Sequence, residues 1–236
     1  MSRIEVRRIP EVVVPGKALG RHVRHDPRSL AYLAPAADIS GLRSVRHGRR
    51  IPVLDQGSIG ACTGFAAEGA LGTSPLYDAL AEGALHRPTG DAEVDEDQAR
   101  TLYSTATTLD GYDGEWPPVD TGSDGLSVAK AALAAGLISG YRHATSLEAA
   151  LAALAEQPVI AGINWYDSFD SPDKTGQVRI GPGATVRGGH EIVFDELDVT
   201  QRRVWFTNSW SEAWGLHGRA WMSWPDFERL LSEDGD

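Results

Sequence analysis

The chain has 236 residues, 42% of them hydrophobic, with 22 basic and 33 acidic side chains and a formal charge of −11. That is enough chain for a sizeable core, in one large domain or two small lobes, and it is too apolar for a disordered protein. No apolar run reaches the roughly 18 residues of a membrane span, and Val12–Val14 is too short for a signal-peptide core.

Cysteine and charge narrow the classes further. Cys62 is the single cysteine, so no intramolecular disulfide and no C-x-x-C metal pair can form. With no signal peptide, no membrane segment and no disulfide, a cytoplasmic address is expected, with export by another route left open. Residues 1–50 hold eleven basic and four acidic side chains, while the rest is strongly acidic. An acidic body repels phosphate and the arm lacks interleaved aromatics, so nucleic acid is not expected as a partner. The arm is expected to pack on its own body or in a groove there.

In chain order, residues 1–50 show no sustained period and read as an extended arm. The turn-forming stretch Gln56–Gly60 precedes a helix of small residues from Cys62 to near Gly72, which is expected to be buried. A second helix is expected from Asp95 and Asp97, with Ala99, Leu102, Tyr103 and Ala106 on one face. The loop Asp110–Asp124 leads to a short helix over 126–135. Thr145 and Glu148 have capping-box spacing for a helix that ends before Pro158. Strands are predicted at Val159–Ile163, Glu191–Leu197, Val204–Thr207 and Arg219–Met222. The class is α+β, a helical first half and a β second half.

Four stretches carry chemistry: Asp55–Cys62, Arg187–His190, Thr207–Trp210 and Trp214–Gly218. A thiol attacks as thiolate, and Cys62 at a helix N-terminus gains the helix dipole. A neighbouring imidazolium stabilises the anion further and can protonate a leaving amine. A neutral amide such as Asn208, on a neighbouring predicted strand, can orient that ring. The Gln56 amide and the Cys62 N–H are plausible oxyanion donors.

Together these segments resemble the papain-like cysteine proteases, peptidase family C1. In that family the histidine and asparagine follow the nucleophile by about 130–150 residues; here His190 and Asn208 follow Cys62 by 128 and 146. The resemblance runs from about Ile51 to Trp221. It implies a two-lobed fold, helical lobe over about 51–145 and β-barrel-like lobe over about 146–236, with the cleft between them. It implies Cys62 as nucleophile, His190 as acid/base, Asn208 as its orienter and Gln56 as oxyanion donor. Trp210 would shield the His190–Asn208 hydrogen bond, Trp214 would line the leaving-group side, and Gly122–Gly125 would bind substrate backbone, with Gly125 closing that loop. The implied activity is hydrolysis of peptide or protein substrates by a monomer, without cofactor or metal. The other readings are a catalytically silent binding or structural protein on this fold, and a thiol-dependent acyl or amide transferase.

The pattern departs from the family at Ile59, Thr63, Glu191 and Ser211. Glu191 either points into the cleft, where its charge would raise the pKa of His190, or faces away on a strand edge. The arm is shorter than the family's usual propeptide, and it is expected to restrict the cleft until displaced or cut. His22, His25 and Asp26 read as solvated rather than as metal ligands. Asp110, Asp113, Glu115, Asp120 and Asp124 read as a solvated acidic loop. Trp205, Trp221 and Trp224 read as core aromatics.

Overall fold

The computed structural model describes residues 4–36, 38–84 and 86–236, Leu30 through its backbone only; residues 1–3 and 37 of the arm lie outside. The arm contributes β1 (Glu5–Arg7), β2 (Val23–His25) and β3 (Val45–Arg46). There follow α1 (Cys62–Leu71), α2 (Leu76–Ala79), α3 (Ala92–Leu109), α4 (Gly125–Ala134) and α5 (Leu147–Glu156). The last third holds β4 (Val159–Tyr166), β5 (Val186–Asp198), β6 (Arg203–Thr207), β7 (Arg219–Ser223) and α6 (Trp224–Ser232).

Helix starts follow side-chain caps. Asp91 accepts from the N–H groups of Glu93 and Val94, which starts α3 one turn before Asp95. Asp95 is instead buried in the first turn and binds the N–H groups of Thr89 and Gly90. Ser146, not Thr145, caps α5 by accepting from the Ala149 N–H. Helix α1 has no side-chain cap, and all ten of its residues are buried, as its small side chains predict.

The five-stranded sheet is antiparallel and built around β5. Strands β3 and β4 lie along one edge of β5 and β6 along the other, because Val193 pairs with both Ile160 and Thr207. The register sets Ile163 opposite His190 and Gly162 opposite Glu191. A bulge at Asp195 turns that carboxylate inward, where it accepts from Thr207 Oγ1 at 2.6 Å and pairs with Arg219 at 2.5 Å.

The main core joins the sheet to α5 and α6 through Leu151, Leu154, Trp165, Phe194, Phe206 and Phe227. A second core packs α1 on α3 and α4 through Leu71, Leu102, Ala106 and Val128. Helix α1 also lies against β5. Its N-terminus therefore ends beside the strand carrying His190. Trp224 is buried as expected, but Trp205 and Trp221 are only half-buried. They pair across β6 and β7 on the outer face, covered by the guanidinium of Arg203.

Two further expectations need correction. His22 and Asp26 are buried rather than solvated, while His25 is partly exposed. In the loop before α4, Asp110 accepts from Ser123 Oγ, and Asp124 caps α4 through the Ser127 N–H. Asp120 accepts from the Gly60 N–H and Tyr103 hydroxyl, tying this loop to the turn before Cys62. Asp113 and Glu115 remain exposed. Among the described residues, no helix is long and apolar enough to cross a membrane.

Candidate functional site

Cys62 is the first residue of α1 and is fully buried. Its sulfur accepts from the backbone N–H of Glu191 at 3.4 Å, so β5 grips this side chain one residue from His190. Helix α1 aims its N-terminal N–H groups toward the sulfur end, which favours negative charge there.

The ring of His190 is fixed on three sides. Its Nε2 lies 2.7 Å from Asn208 Oδ1, which also accepts from the Ser209 N–H. An amide oxygen can only accept, so the neutral ring carries its proton on Nε2 and leaves Nδ1 as the basic nitrogen. Trp210 stacks on the ring at 5.0 Å, and Trp165 meets it edge-on at 4.8 Å. Trp165 escapes a reading of motifs because it sits in none of them; its only signal is its place on β4, beside β5. Nδ1 is buried without a hydrogen-bond partner among the described residues, Cys62 included.

Gln56 stands against the same corner. Its backbone N–H and Oε1 are both tied to Ser209, the latter at 2.6 Å. That leaves Nε2 to donate to the carbonyls of Ile59 and Leu19, at 2.9 and 3.3 Å. Leu19 belongs to the arm.

Residues 18–22 run through the cleft. The Trp210 indole donates to the Ala18 carbonyl at 2.9 Å. The N–H groups of Gly20 and Arg21 both donate to the Gly189 carbonyl. Ser123 then receives the chain twice, donating to Gly20 O at 2.9 Å and accepting from His22 N at 2.8 Å, a parallel bridge centred on Arg21. Gly20 has φ +131°, and a Cβ there would collide with the Gly60 backbone. Upstream, Arg187 donates to the carbonyls of Val12 and Lys17. His22 accepts from the Ile9 N–H at Nδ1 and donates from Nε2 to Thr121 O at 2.7 Å. The basic arm thus occupies a groove of its own acidic body.

Burial under the arm sets the charge states. Loss of water holds the His190 pKa down at about 3, and the Arg187 cation lowers it further against the pull of Asn208. Burial also pushes the Cys62 thiol far up, with the Glu191 charge adding to it. Both groups are neutral while covered. Glu191 does not face His190: neighbours on a strand point to opposite faces, and its carboxyl lies beside Arg21 over Gly162. Trp214 is buried and donates to Asp170 O, and Gly125 opens α4 beneath Glu191.

No family model matches the chain, and no curated protein matches its sequence. Solved structures do. Xylellain, a cysteine protease from Xylella fastidiosa, superposes with a TM-score of 0.68 at 16% identity, over 95% of this chain and 97% of that one. The bromelain protease from Ananas comosus, in complex with the E64 inhibitor, aligns at TM-score 0.45 and 13% identity, over 73% and 83%. The fold is papain-like.

Proposed function

We propose that the chain is a cysteine-type peptidase of the papain-like C1 class, with residues 51–236 as the two-lobed peptidase domain and residues 1–50 as an arm that blocks it. Cys62 is the nucleophile, His190 the acid/base, Asn208 its orienter and Gln56 an oxyanion donor. The single observation that carries this reading is that a peptide carbonyl, that of Leu19, is held by Gln56 Nε2 in the cleft that holds Cys62 and His190. Similarity of fold to a cysteine protease supports the same reading.

Once the arm leaves, water lowers the cost of charge, and the Cys62 proton passes to His190 Nδ1. The thiolate attacks the substrate carbonyl, forming the S–C bond, while Gln56 and the Cys62 N–H hold the oxyanion. Collapse breaks the C–N bond, and the His190 imidazolium gives its proton to the leaving amine. A water deprotonated by His190 then releases the acyl group and restores the thiol.

On this reading the direction of the arm disfavours its own cleavage. A substrate with its acyl part on Ser123 and its leaving part toward Trp210 and Trp214 runs from Ser123 to Trp210. The arm runs the other way, from Ala18 at Trp210 to Arg21 at Ser123. Its carbonyl therefore carries the peptide nitrogen on the wrong side. The test is hydrolysis of fluorogenic dipeptide amides by the Leu19→Glu chain, in which a buried charge expels the arm. Turnover that disappears in Leu19→Glu/Cys62→Ala supports the peptidase; turnover that survives the second change refutes it.

A further inference from the structure

Arg21 of the arm is fully buried although it is an arginine. Its Nη2 pairs with the Asp236 carboxylate and bonds the Asp234 carbonyl at 2.6 Å. Among the described residues its Nε and Nη1 have no hydrogen-bond partner, and neither has the buried Glu191 Oε2. These groups converge over Gly162, the residue opposite Glu191 in the sheet: a Cβ there would run into Arg21 Nε, Asp236 Oδ1 and Glu191 Oε2. Asp124, also fully buried, stands at the N-terminus of α4 on the neighbouring wall.

The pocket thus sets two carboxyl groups, those of Glu191 and Asp236, around the Arg21 guanidinium, whose hydrogen bonds are incomplete, while Asp124 faces Arg24 at 3.9 Å. Such a site is poor as a structural ion pair, since unmet donors and acceptors are costly when buried. It is well suited to an exchangeable cationic occupant. Arg21 enters it from the backbone position that pairs with Ser123. A substrate running in the opposite direction and pairing with Ser123 presents a side chain from that same position.

We propose, resting on the peptidase reading, that this pocket selects a basic side chain, arginine above all, in the substrate residue that pairs with Ser123. Glu191 and Asp236 are the carboxylates that determine the choice. An apolar side chain would leave both facing it without a counter-charge, which counts against it as much as pairing favours arginine. The planar guanidinium offers five fixed donors to engage both at once, where an ammonium offers three on a single point charge. Glu191 meets Cys62 only through its backbone N–H, so a change of its side chain leaves that contact in place.

The experiment uses the full chain and two isosteric probes, propylguanidinium and neutral propylurea. In Arg21→Ala, calorimetry is expected to show the cation binding about tenfold more tightly than the urea, a gap that closes in Arg21→Ala/Glu191→Gln. Equal binding of the two probes overturns the proposal. If Arg21→Ala does not fold, the unaltered chain serves: propylguanidinium should compete with Arg21 and speed iodoacetamide labelling of Cys62, and propylurea should not. No difference between them is equally fatal. Dipeptide amides with arginine or leucine at the selected position separate the two claims. Cation binding without any hydrolysis refutes the peptidase and leaves the pocket; hydrolysis without preference for arginine refutes the pocket and leaves the peptidase.

Discussion

The side-chain amide of Gln56 donates to the main-chain carbonyl of Leu19 at 3.3 Å. The cleft therefore holds a peptide carbonyl in its resting state, and that peptide is its own. Leu19 is fully buried, and the glycine and serine backbones on both walls pair with the residues after it. On the proposed mechanism, closure and chemistry compete for the same groups.

Weakening the arm should expose the thiol. Leu19→Ala removes a buried side chain from the docked arm only, at a cost of about 2 kcal/mol. The open fraction should then rise by about thirtyfold, read as faster iodoacetamide labelling of Cys62 by mass spectrometry. An unchanged labelling rate would mean that the arm does not control access.

Acid should loosen the arm through His22. Its ring is neutral, accepting at Nδ1 and donating at Nε2, and burial holds its pKa below the ordinary 6.5. A second proton would set two N–H groups against each other at Ile9. The stabilisation is complete above the unfolded value and fades as pH falls through it toward the lowered one. His190 acts in the same sense, while Glu191 and Glu11, both raised by burial, act in the opposite one. The His22 share is isolated by comparison: from pH 7.5 to 5, labelling of the unaltered chain should rise relative to that of His22→Gln. Parallel profiles would remove His22 from the clasp.

Asn208→Ala should leave the fold nearly intact and impair the ring. A buried Nε2–H without its acceptor costs about 1–3 kcal/mol in thermal or denaturant unfolding. In the Leu19→Glu background, dipeptide hydrolysis should fall by about a hundredfold, chiefly in kcat, because the ring loses its tautomer and its orientation. Full activity would show that Asn208 only fills space.

Away from the cleft, Asp195→Ala should destabilise the chain by about 2 kcal/mol, since it leaves the Thr207 hydroxyl without its acceptor and Arg219 with Glu196 alone. Chemical denaturation measures this directly. A loss below about 1 kcal/mol would mean that water replaces the carboxylate at the bulge.

How much of this was legible follows from where each signal lies. Helix α1, the strands β4 to β7 and the four motifs are written locally, in small-residue runs, β-branched segments and turn residues. The arm is different. Residues 18–22 have no period of their own because their backbone partners are Gly189 and Ser123, more than a hundred residues away. The same holds for β1 and β2, which pair with each other across fifteen intervening residues. Helix α6 hides behind a tryptophan that resembles the end of a strand, although Ser223 as cap and Pro225 in the first turn do announce it. His22 and Asp124 look solvated in sequence; His22 gains its partners, Ile9 and Thr121, only when the arm folds, and Asp124 is buried as the cap of α4. Glu191 was ambiguous because alternation along a strand tells which face a residue takes, not what waits there.

The central claim is that Cys62 and His190 act as a pair once uncovered. The most direct measurement is the pH dependence of iodoacetamide labelling of Cys62 in Leu19→Glu, with and without His190→Ala. The account predicts rapid labelling that persists down to about pH 5 in the first, and slow labelling that follows an ordinary thiol titration near 8.5 in the second. Identical curves in the two chains, both titrating as a free thiol, would contradict it.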